Sequence, residues 1–70
     1  MSWQEFAANR EVGDVFEGVV VAQVPFGVFV ESPEGVHGLA HSQSWPVGSR
    51  VPVTILAIDP ERQRFSLDPA

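Results

Sequence analysis

The stretch Phe26-Gly27-Val28-Phe29-Val30-Glu31-Ser32-Pro33-Glu34-Gly35-Val36-His37-Gly38-Leu39-Ala40-His41 decides the architecture. Ser32 to Gly35 has turn chemistry, because proline presets φ and glycine accepts a left-handed backbone. The apolar runs on either side then read as two antiparallel strands, Phe26 to Glu31 and Val36 to His41, forming a central hairpin.

Upstream, after a turn at Pro25, a first strand is expected over Gly13 to Val24, with Val15 and Val20 inward and Gly18 between them as a bend. Downstream, Ser42 to Gly48 is a polar loop with one Trp and one Pro. Arg50 to Ile58 then turns Val51, Val53, Ile55 and, less regularly, Ile58 to one face. Pro52 has no amide to donate, which predicts a free edge there. Asp59 to Gln63 is the last turn and Arg64 to Leu67 the last strand, with Phe65 and Leu67 on one face. Ahead of the strands, Ser2 and Glu5 fit a helix capping box, and Trp3, Phe6 and Ala7 share a helical face, so residues 2–10 read as a short helix. Short Val- and Phe-rich runs broken by Gly and Pro at intervals of about ten residues point to a small all-β fold.

Seventy residues allow one domain, and a chain of this length buries only about 60% of its unfolded surface. Without cysteine there are no disulfides or thiolate metal sites, so Val, Ile, Leu and Phe must hold the core. The opening Met1-Ser2-Trp3-Gln4-Glu5 lacks a basic stretch followed by an apolar run, and no window approaches the roughly 18 apolar residues of a membrane span. A cytoplasmic chain with no membrane partner is expected. Nine acidic residues face only Arg10, Arg50, Arg62 and Arg64, a formal net charge of -5. That balance disfavours strong non-specific nucleic-acid binding.

The sharpest local feature is the pair Phe26 and Phe29. In a regular strand they point to opposite sides; with a bulge at Gly27 both reach one outer surface as two platforms for stacking bases. The other reading places one or both in the core. His37 and His41, four apart in a strand, lie about 13 Å apart on one face, too far for one metal. Neither a phosphate-binding glycine loop nor a nucleophile with a base is arranged by spacing, so neither catalysis, a cofactor nor a small-molecule substrate is expected.

The spaced series Gly13-x-Val15, Gly18-x-Val20, Phe26-Gly27-x-Phe29-Val30, Gly35-x-x-Gly38-Leu39-x-His41, Gly48-x-x-Val51-x-Val53, Ile58-Asp59 and Arg64-x-x-Leu67 resembles the ribosomal protein S1-type RNA-binding domain. The resemblance implies a five-stranded antiparallel barrel of the oligonucleotide-binding (OB) fold over residues 13–70, with residues 1–12 as a helical extension. It also implies single-stranded RNA held across the second and third strands. Family members carry two aromatics, a His, an Asp and an Arg on that face, and Phe26, Phe29, His41, Asp59 and Arg64 stand at the matching positions. The phenylalanines would stack bases, His41 would stack or donate to phosphate, and Arg64 would pair with phosphate or cover a base. Asp59 would accept from a base edge or orient Arg64.

Three departures from the family pattern stand out. Val19, Val21 and Ala22 replace outward polar residues, leaving an apolar strip that suits a protein partner as well as RNA. Ser42 to Val47 is a shortened connection between strands 3 and 4, with Gln43 where the pattern often has Ser, so Trp3 and Phe6, or Trp45, are expected to cover the open barrel end. Gln23 stands at a usual core aliphatic position and is expected either to be costly or to tilt to the rim. The expected function is weak, largely sequence-tolerant, non-catalytic binding of single-stranded RNA within a larger ribonucleoprotein assembly. The competing expectation is a protein-interaction module using the same apolar face.

Overall fold

The computed structural model describes residues 3–70, as α1 (Trp3–Asn9), β1 (Val15–Val24), β2 (Gly27–Glu31), β3 (His37–His41), β4 (Arg50–Asp59) and β5 (Arg64–Pro69). Ser2, the expected helix cap, lies outside the described residues. The strands close into a barrel in the order β1-β2-β3-β5-β4, with β4 returning to β1.

Four of the five seams are antiparallel. The fifth corrects the all-antiparallel expectation: β3 and β5 run parallel, with Leu39 opposite Ser66 and Ala40 opposite Leu67. The reason is parity. A closed ring of five strands cannot alternate direction at every seam, so at least one pair must be parallel.

β1 and β4, ten residues each, pair on both sides and coil around the barrel with the help of two irregularities, one between Val20 and Ala22 and one between Ile55 and Ala57. Of the two readings of Phe26 and Phe29, the one with a bulge at Gly27 does not hold in that form, since β2 pairs regularly with β3 from Gly27 opposite His41 onward. Gly27 is needed for close approach instead: a Cβ there would collide with the Ala40 carbonyl oxygen. Val15 is also corrected. It is exposed, and Phe16, Gly18 and Val20 point inward. Val15 and Val20 are an odd number of residues apart, so both could face inward only across a bulge between them, and the irregularity falls after Val20.

Pro52 sits where the ladder between β4 and β5 ends. Its carbonyl accepts from the Ala70 amide at 3.1 Å, so its missing donor points the same way, past the paired part of β5.

The core is Phe6, Phe16, Val20, Val28, Val30, Ala40, Val53, Ile55, Phe65 and Leu67. α1 supplies Phe6, fully buried and stacked on Phe65 with ring centroids 4.2 Å apart, while half-buried Trp3 packs on Phe6 at 5.2 Å. Arg10, just past the helix, forks onto the Glu34 carboxylate at 3.1 to 3.4 Å and lies over the Phe16 ring at 5.2 Å. The helix therefore plugs one barrel end and is tied to the turn between β2 and β3. Between β3 and β4 residues 42–49 form no helix; half-buried Trp45 packs on the core there. Gln23 tilts to the rim, where its side-chain amide donates to the Trp45 carbonyl at 2.9 Å. No helix among the described residues is long and apolar enough to cross a membrane.

Candidate nucleic-acid interface

The outer face of β2, β3 and β5 carries two adjoining concavities. One, of ≈ 360 Å³, is lined by Phe26, Phe29, His37, Leu39, Arg64 and Phe65. The other, of ≈ 240 Å³, includes Leu39, His41, Ile58, Asp59, Arg64 and Phe65 in its lining. Leu39, Arg64 and the edge of Phe65 belong to both. The structure thus gathers all five residues singled out in the sequence onto one side of the barrel.

Phe26 reaches this face by a route other than the expected one. It occupies the two-residue turn with Pro25 between β1 and β2, so strand alternation does not govern it, and more than half of it is exposed. Phe29, in the middle of β2, points outward between the buried Val28 and Val30 and is half-buried. Register sets the rest. Phe29 faces Leu39 across the seam between β2 and β3, and Leu39 faces Ser66 across the parallel seam. Stepping back two residues on both β3 and β5 puts His37 beside Arg64. Gly38 makes room for Phe65, whose ring a Cβ at Gly38 would strike.

The arginines divide unequally. Arg10 is spent on Glu34, and Arg62 lies 3.9 Å from the Asp59 carboxylate. Arg64 is exposed and has neither an ion pair nor a side-chain hydrogen bond among the described residues, which leaves its guanidinium available for an anion. Asp59 is opposite Arg64 in register, yet its carboxylate turns to the loop and accepts from the Arg62 amide at 3.4 Å. His41 is exposed at the end of β3, and His37 lies 3.5 Å from Glu31. No group of three or more His, Asp or Glu side chains placed to hold a metal occurs among the described residues.

Chemically, such a face offers aromatic planes for stacking and one uncommitted cation. The sequence profile of the S1 RNA binding domain matches residues 9–68. The chain belongs to that family.

This S1 domain is 41% identical to small ribosomal subunit protein bS1 of Neisseria meningitidis across 93% of its own length, and spans 14% of that protein. Among solved structures, GSP13 of Bacillus subtilis matches with a TM-score of 0.77 at 33% identity, covering 87% of this chain and 56% of that one. MJ1198 of Methanocaldococcus jannaschii matches with a TM-score of 0.79 over 89% of this chain and 95% of that one; at 24% identity the likeness shows the fold.

Sequence reasoning missed His37 and Leu39 as parts of this face. The signal for His37 is its alternation with Leu39 and His41 along β3, which puts all three outward. Its position beside Arg64 depends on barrel closure, which no local pattern reports.

Proposed function

We propose that this S1 domain binds single-stranded RNA by stacking bases on Phe26 and Phe29 while Arg64 meets a phosphate between them. The observation carrying this reading is the free Arg64 guanidinium on the border of both concavities, beside two phenylalanines left out of the core. His41 sits at the far side of the second concavity, within reach of the next nucleotide, and Asp59 shapes the turn that carries Arg64.

Magnitudes make the binding weak. Two stacked bases contribute about 2–6 kcal/mol, against the ~8 kcal/mol of a micromolar complex. With one or two arginines to meet phosphates, and no base-edge readout built into an aromatic platform, binding is largely tolerant of sequence and depends little on salt. Useful affinity then comes from tethering in a larger RNA-bound assembly, as the likeness to a ribosomal protein suggests, in the cytoplasm and without catalysis, cofactor or metal. Fluorescence anisotropy with a labelled RNA octamer tests this. The expected result is a Kd of micromolar or weaker whose logarithm changes with log salt by about 0.7 to 1.4, one or two phosphates' worth. No binding at low salt overturns it.

A second reading rests on Val19 and Val21, half-buried on the outer side of β1, and on Ala22 opposite Phe29, which together extend the apolar face toward β1. A protein partner or second copy would dock there. Sedimentation showing self-association, or a pull-down that survives nuclease treatment, favours it.

A further inference from the structure

Gln23 in β1 and Gln43 in the connection after β3 are distant in sequence, yet the structure brings them together. With Ser44, Pro25 and Gly27 they line a concavity of ≈ 220 Å³ beside the turn that carries Phe26. The Ser42 amide, donating to the Phe26 carbonyl at 3.0 Å, ties that turn to the connection after β3, so this concavity and the Phe26 platform are held in fixed relation.

The hydrogen bonds of the two amides define what the site can take. Gln23 donates its Nε2 to the Trp45 carbonyl at 2.9 Å, and Gln43 donates its Nε2 to the His41 carbonyl at 3.4 Å. A carbonyl only accepts, so each amide commits its NH₂ inward and leaves its Oε1 as an acceptor. Neither Oε1 takes a hydrogen bond among the described residues. The result is a pair of neutral acceptors, next to an exposed serine hydroxyl, at the edge of a stacking platform.

We propose that this concavity is a base-edge subsite, selective for bases that carry an exocyclic amine, serving the nucleotide beside the one stacked on Phe26. This rests on the RNA-binding reading above and adds a preference to it. Cytosine and uracil isolate the effect. Their rings are the same size, but cytosine presents an N4 amine where uracil presents an O4 acceptor. An acceptor facing O4 leaves both without a donor, so the subsite disfavours uracil.

The test uses the full chain at neutral pH with two probes, oligocytidine and oligouridine RNA octamers. The expected result is tighter binding of oligocytidine by roughly threefold to tenfold, the effect of one or two exposed hydrogen bonds. Gln43→Met, of similar length but without the amide, brings the ratio to about one. Phe26→Ala weakens both probes and isolates the stacking contribution. Equal binding of the two octamers by the unaltered chain, or a preference that Gln43→Met leaves intact, overturns the subsite alone. Failure of both octamers to bind overturns the RNA-binding reading and the subsite with it.

Discussion

Five phenylalanines divide between two regions of this small barrel, one closed from solvent and one open to it. Phe6, Phe16 and Phe65 meet at the end plugged by α1, all nearly free of solvent, with ring centroids 4.2 to 6.3 Å apart. Phe26 and Phe29 lie on the face of β2, β3 and β5, one in a tight turn and one outward in mid-strand, both lining a concavity open to solvent. The same side chain stacks on protein in one region and is left open to solvent in the other. Strand parity and turn placement make the difference, since hydrophobicity is identical in both.

Breaking the plugged end has the largest expected effect. Phe6→Ala removes the fully buried ring that α1 contributes and should cost about 3–5 kcal/mol, measured by denaturant unfolding. A domain of this size has little stability to spare, so deleting residues 1–10 should lower Tm steeply; an unchanged Tm would show that the helix does not close the barrel.

On the open face the signs reverse. Phe26→Ala and Phe29→Ala should each weaken RNA binding by about 1–3 kcal/mol. Phe26→Ala, in an exposed turn, should change unfolding free energy by less than about 0.5 kcal/mol. Arg64→Ala should weaken binding by a smaller amount and lower the salt slope by about 0.7, one phosphate's worth. The smallest effect belongs to the tie between the helix end and the turn: Glu34→Gln should cost about 1 kcal/mol or less of stability and leave RNA affinity unchanged.

Much of this division was legible in the sequence. Turn chemistry at residues 32–35 and alternation in β4 and β5 located the strands, because those signals are local and each acts through neighbouring residues. Phe6 on the apolar side of a short helix already pointed to a plug. Features that depend on closure were not legible. The irregularity of β1 falls after Val20, too late to turn Val15 inward, the parallel seam placed His37 beside Arg64, and Gln23 and Gln43 met only because β1 and the connection after β3 share a rim. Strand alternation alone requires a bulge for Phe26 to face outward, whereas a two-residue turn achieves the same end without one.

The most direct measurement of the central claim is an amide and side-chain NMR titration of the chain with a single-stranded RNA octamer. Shifts concentrated at Phe26, Phe29, His37, His41 and Arg64, with Phe6, Phe16 and Trp3 unmoved, are the predicted result. Saturable shifts that bypass those five residues, or none at all, would contradict it.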